Sequence, residues 1–196
     1  MKRKYSGLTL EEAMQLIPAE RLRQWNLDAP PRPPSDFLRA GLHRLESFDL
    51  VSSEAAKMLL IDELLQEIVP EYPQLKVWKA ALLETDALTG TADYIIAPNR
   101  AYMATPLLCV VEAKRDDFEA GRVQCIAEMV ACTWKNRQKN LERDVYGIVS
   151  NGQGWVFYRL TPPGEVFETG VYTTQYLPQL LGALDHVCAA CAMNVP

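Results

Sequence analysis

The segment Pro106-Leu107-Leu108-Cys109-Val110-Val111-Glu112-Ala113-Lys114 holds the residues best placed for chemistry. An apolar run ends in an acid and a base two positions apart. The run is short, β-branched near its end and bounded by Pro106, the pattern of a strand buried on both faces. Side chains alternate along a strand, so Glu112 and Lys114 share one side at its end. Ionised groups beside a core need a partner, and two are open to them: each other, or a metal ion. Upstream, Gly90-Thr91-Ala92-Asp93-Tyr94-Ile95-Ile96-Ala97-Pro98 has the form of a turn followed by a strand with Asp93 at its start. Pro98, Asn99 and Pro106 bound a connection that suits an antiparallel hairpin. Such a hairpin brings the carboxylates of Asp93 and Glu112 together. Two carboxylates with a lysine beside them make a hard, oxygen-lined site for Mg²⁺ or Mn²⁺.

These strands need supports on either side. Ser52 or Ser53 caps a helix that runs to about Val69 before Pro70, and Leu75 to Leu83 follows as a strand. Asp116 and Asp117 cap a long helix from Phe118 to about Gln138, with Val123, Ile126, Ala127, Val130 and Ala131 at helical spacing. Strands are predicted over Val145–Ser150, Trp155–Leu160 and Val166–Tyr172, and a final apolar helix over Tyr176–Met193. In the first fifty residues, Thr9 and Glu11-Glu12 open one helix that Pro18 ends. A second short helix is expected over Ala19–Trp25, an extended spacer over Ala29–Pro34, and a third helix from Ser35-Asp36 through Arg44. The division that follows is an N-terminal helical arm with a proline-rich spacer, residues 1–50, and a main domain, residues 51–196.

The order of these features resembles the PD-(D/E)XK nuclease superfamily. An acid-bearing helix, a strand with Asp93, a strand with Glu112-Ala113-Lys114 and a helix with Gln124 stand in that sequence. The likeness covers roughly Ser52 to Leu160. Ser53-Glu54-Ala55-Ala56-Lys57-Met58-Leu59-Leu60-Ile61-Asp62-Glu63-Leu64-Leu65 resembles the opening helix of the nuclease domain in type I restriction enzyme motor subunits and related stand-alone proteins. Tyr146-Gly147-Ile148-Val149-Ser150-Asn151-Gly152, followed by Trp155-Val156-Phe157-Tyr158, resembles the strands after the catalytic core there.

The resemblance implies an α/β fold of the restriction-endonuclease-like type, a mixed central sheet flanked by helices. It implies that Asp93 and Glu112 hold a divalent ion, Mg²⁺ or Mn²⁺, with the Ala113 carbonyl completing the shell. Lys114 would orient the attacking water and stabilise charge on the scissile phosphate. Glu54 is the helix acid that reaches the ion through water, with Glu63 on the same helix as the alternative. Gln124 would hydrogen-bond a phosphate or a water on the ion. In the exonuclease branch a Tyr stands four residues after this Gln. Here Glu128 does, which points away from end processing. The ion-pair reading of Glu112 and Lys114 stays open beside all of this.

Trp134-Lys135-Asn136-Arg137-Gln138-Lys139-Asn140 and Arg143 form the densest basic cluster. Lys135, Arg137, Lys139 and Arg143 can track a phosphate backbone, or offset the dipole at a helix end. The net charge of −5 argues against a general nucleic-acid binder but leaves a nuclease open, because a bound ion reverses the sign locally. No apolar stretch has the length of a membrane span, and Leu8–Ile17 is too polar for a signal core. The five cysteines, an odd count in which only Cys188 and Cys191 are closely spaced, separated by two residues on a predicted helix, suit reduced thiols in a cytoplasmic protein. Cys188, Cys191 and His186 lack a second ligand pair for zinc. His43 and His186 lie far from the motif residues, and no Ser-His-Asp set or glycine-rich phosphate loop is present. The expectation is Mg²⁺-dependent hydrolysis of DNA phosphodiester bonds in restriction, defence or repair, by a symmetric dimer, with DNA as partner and no small-molecule cofactor. The alternatives are a nuclease-fold module that binds nucleic acid or protein without cutting, and a structural subunit of a larger restriction or defence assembly.

Overall fold

A computed structural model of the chain describes residues 2–18, 22–50, 53–114 and 117–196, without the Glu54 side chain. Among the described residues nine strands form one mixed sheet, ordered β1-β4-β5-β6-β7-β8-β2, with β3 on β4 and β9 on β7. The strands are β1 (Arg3–Lys4), β2 (Leu22–Gln24), β3 (Leu75–Glu84), β4 (Leu88–Pro98), β5 (Cys109–Ala113), β6 (Val145–Ser150), β7 (Gly154–Leu160), β8 (Val166–Glu168) and β9 (Tyr172–Thr173). The helices are α1 (Leu10–Met14), α2 (Asp36–Leu45), α3 (Glu54–Ile68), α4 (Phe118–Arg137) and α5 (Leu177–Met193). The α/β class expected from the sequence is the class observed.

The sheet has an apolar layer on each face, as alternation demands. Cys109, Val111 and Ala113 of β5 pack with α3 and α5 residues such as Ile61, Leu64, Leu181 and Leu184. Val110 packs on the other face with Val123, Ile126 and Ala127 of α4. Every residue of β5 and β6 is buried, which explains the unbroken apolar runs of the central strands. Helix starts follow their caps: Ser53 accepts from Ala56 N–H at 3.2 Å and Asp117 from Ala120 N–H at 2.9 Å. Thr9 and Glu12 make a reciprocal capping box at α1.

The N-terminal stretch is woven into this sheet. β1 lies parallel to β4 at one edge and β2 parallel to β8 at the other. The expected helix over Ala19–Trp25 is therefore wrong for its described part. Residues 19–21 lie outside the described residues, and Leu22–Gln24 is a strand whose ladder continues as Trp25 N–H donates to Glu168 O at 2.7 Å. Pairing with β8 overrides a weak local preference. The proline spacer lies on α5: a Cβ on Gly182 would meet Pro30 O at 2.3 Å, and Arg32 bonds Asp185 at 2.8 Å and pairs with Glu71. The last predicted strand is split in two, because the Thr169 hydroxyl takes the Phe157 N–H at 3.1 Å and interrupts the ladder. No described helix is long and apolar enough to cross a membrane.

Candidate active site

β4 and β5 run antiparallel, with Tyr94 opposite Val111 and Ile95 opposite Val110. This register sets Asp93 across from Glu112 where the ladder ends. There the Asp93 side chain replaces the backbone acceptor, with Oδ2 receiving the Ala113 N–H at 2.8 Å. On its other edge β4 pairs with β3 through Lys79–Tyr94 and Ala81–Ala92. Between them Ala80 sits at φ 48°, a left-handed conformation that costs a residue with a Cβ. The backbone around Asp93 is thus irregular on both sides.

Glu112 is 1 % exposed and points to the α4 face. Lys114 Nζ donates to Glu112 Oε1 at 2.5 Å and to Gln124 Oε1 at 3.1 Å. Gln124 Nε2 in turn donates to Glu128 Oε1 at 3.1 Å. α4 can rest on the Lys114 stem because Gly121 has no side chain: a Cβ there would lie 2.9 Å from Lys114 Cγ and 2.6 Å from Val149 Cγ1. The Lys114 N–H is fixed to Ser150 O at 2.8 Å, which ties the end of β5 to β6.

The sequence reading did not place Glu128 in the site. It is fully buried, and its Oε2 has no hydrogen-bond partner among the described residues. Burial pushes its carboxyl well above the ordinary value of 4.5, and the negative charge of Glu112 pushes the same way. The bond from Gln124 opposes this, Asp93 adds to the rise, and Lys114 lowers it again. Tyr5 lies on the outer flank, its OH donating to Leu83 O at 2.9 Å, and burial first, with Glu128 among the charges, raises that phenol too. The signal available in the sequence was an acid four residues after Gln124 inside the apolar stripe Val123, Ile126, Ala127, Val130 and Ala131.

The remaining candidates divide. Asp93, Glu112, Ala113, Lys114 and Gln124 come together. The Glu54 side chain lies outside the described residues. Its alternative, Glu63, turns to α2, where Arg44 approaches at 3.9 Å and Gly41 makes room for the carboxylate. Lys135, Arg137, Lys139 and Arg143 lie at and beyond the far end of α4. At about 1.5 Å of rise per residue, Lys135 is roughly 16 Å along the helix axis from Gln124. Arg137 donates to Pro162 O at 2.5 Å and Arg143 to Glu142 O at 3.0 Å. All five cysteines are free and buried, while His186 is exposed against Trp25. A groove of about 530 Å³ opens on the opposite face between α3 and β3; there Asp62 accepts from Lys79 at 2.7 Å and from Tyr94 OH at 3.0 Å.

The carboxylates of Asp93 and Glu112 at the hairpin end are hard oxygen donors of the kind that Mg²⁺ or Mn²⁺ takes. Among the described residues no cluster of three or more His, Cys, Asp or Glu is placed to hold a metal. The candidate donors among the described side chains are Asp93 and Glu112, and the Glu54 side chain lies outside the described residues. No family model matches the sequence, and no curated protein matches it.

Proposed function

We propose that the chain hydrolyses DNA phosphodiester bonds with Mg²⁺ or Mn²⁺. The observation that carries this reading is Asp93 set across from Glu112 at a hairpin end, with the Lys114 ammonium 2.5 Å from Glu112 Oε1 and braced by Gln124. The likeness to PD-(D/E)XK nucleases gives the same residues their roles. Asp93, Glu112 and the Ala113 carbonyl would hold the ion, with Glu54 reaching it through water. The bound ion would make an attacking water more acidic and stabilise the leaving oxygen. Lys114 keeps a positive charge where the phosphate becomes more negative. Gln124 Oε1 holds Lys114 through a second hydrogen bond. Cutting both strands of a duplex with one site per chain calls for two chains, and a symmetric dimer is the expected form.

The second reading is a nuclease-fold module that binds nucleic acid or a protein partner without cutting. The net charge of −5 and the distance of the basic cluster from the site favour it.

One set of variants separates the readings. Plasmid nicking, thermal stability and metal response are measured on wild type, Asp93→Asn and Lys114→Ala. The metal should raise the melting temperature by linkage, and Asp93→Asn should remove most of that rise. Lys114→Ala should abolish nicking and keep the metal response. Lost stability with nicking unchanged would make Glu112 and Lys114 a structural pair, since breaking a buried pair strands its partner. No nicking by wild type on DNA or RNA, with either ion, would leave the binding module.

A further inference from the structure

The relay from Lys114 through Gln124 ends on an acid that stability alone does not explain. Glu128 is fully buried, Oε2 has no hydrogen-bond partner among the described residues, and a like charge sits nearby on Glu112. Each of these costs free energy that an apolar residue in this stripe would avoid. We propose that Glu128 is the positioning residue of the site: its Oε1 accepts from Gln124 Nε2 and so fixes the Gln124 amide with Oε1 turned to Lys114.

The Lys114 ammonium can only donate. Glu128 Oε1 can accept whether or not Oε2 carries a proton. An amide between them satisfies both ends in one orientation, Oε1 to lysine and Nε2 to glutamate, at 3.1 Å and 3.1 Å. Turned over, it would set N–H groups against the ammonium and a carbonyl against the carboxyl oxygen. A hydroxyl at residue 128 could donate as well as accept, so that only the lysine end would then select the orientation of the amide. Burial strengthens each bond of the chain. The i, i+4 spacing on α4 sets Gln124 over Glu128, and Gly121 lets the same helix rest on the Lys114 stem. Glu128 thereby holds Lys114 in place through the Gln124 amide.

The consequence for catalysis rests on the nuclease reading, whereas the relay does not, so the test has two arms. In the first arm, NMR of the metal-free protein follows the Gln124 side-chain NH₂, assigned by its loss in Gln124→Leu. The wild-type signals should be displaced from free-amide positions and protected from solvent exchange. Glu128→Leu should return them to free-amide positions with loss of protection, and Glu128→Gln, which keeps an acceptor but adds donors, should fall between. Signals unmoved in Glu128→Leu would overturn the proposal. If that variant does not fold, an unmoved signal in Glu128→Gln decides the same way. In the second arm, Glu128→Leu should lower kcat for plasmid nicking by about 10- to 100-fold, the range for a displaced catalytic group, with KM nearly unchanged. Once Gln124→Leu is present, the same change should have no further effect. Additive losses would mean that Glu128 acts by another route and would overturn the relay. A wild-type chain that cleaves nothing but shows the NMR effect sinks the nuclease reading and supports the relay. Cleavage with an unmoved amide does the reverse.

Discussion

Two of the polar side chains that helix α4 buries, Glu128 and Asn136, lie about two turns apart and are treated in opposite ways. Asn136, 1 % exposed, accepts the Leu107 N–H at 2.7 Å and donates to the Leu107 carbonyl at 2.9 Å. It clamps the end of the helix to the approach to β5, and the Leu107 backbone groups it meets are buried with it. Glu128 has one oxygen bonded to Gln124 and the other buried without a hydrogen-bond partner among the described residues. The same split holds in the backbone. Beyond the end of α4 a positive φ of 56° falls on Asn140, a residue that tolerates it. Beside Asp93 a positive φ of 48° falls on Ala80, which does not. Asn136, which serves architecture, is satisfied at both ends of its amide. The region around Asp93 and Glu112 carries unmet demands, the expected mark of a site kept for something other than stability.

The contrast breaks or holds first on matched substitutions. Asn136→Leu leaves the buried Leu107 N–H and carbonyl without their partners, and stability should fall by about 2–5 kcal/mol in urea unfolding. Glu128→Leu removes a buried acid, and stability in the same assay should stay level or rise by about 1–4 kcal/mol. A comparable loss in both variants would make Glu128 a second structural clamp.

A smaller effect is expected with pH. The Glu128 carboxyl is raised above 4.5 in the folded chain by burial first and by Glu112 next. In the window from about 4.5 up to the raised value, the folded state binds more protons than the unfolded state. Stability should therefore decline as pH rises through that window. Glu128→Gln should flatten this part of the profile, whereas Asn136→Leu should lower the whole curve without changing its slope there. Thermal unfolding across the pH range checks both, and an unchanged slope in Glu128→Gln would place the unmet demand elsewhere.

The smallest expected effect is at the backbone. Ala80→Gly relieves the left-handed strain beside Asp93, and a gain of about 0.5–1 kcal/mol should appear in urea unfolding. Asn140→Gly, at a position already tolerant, should change stability by only a few tenths of a kcal/mol. Equal responses at the two sites would remove the backbone half of the contrast.

Local patterns determined a large part of this molecule. Unbroken apolar runs bounded by proline and glycine placed β4, β5, β6 and β7, because a strand buried on both faces must present apolar residues to each. Ser53 and Asp117 marked the starts of α3 and α4, because a helix start needs a side-chain acceptor for its first amides. The hairpin followed from the connection that Pro98, Asn99 and Pro106 bound, and the shared side of Glu112 and Lys114 from strand alternation. The tertiary structure decided what depended on distant chain. Leu22–Gln24 is a strand only because β8 is there to pair with it. Glu63 turns to α2 because Gly41 leaves room for its carboxylate. Glu128 looked like a departure from a family pattern, and its place became visible only once α4 was packed on β5. A helix dictates which residues share its stripe, but the stripe's surroundings come from the strand beneath it, and there the acids of Glu112 and Asp93 meet Glu128.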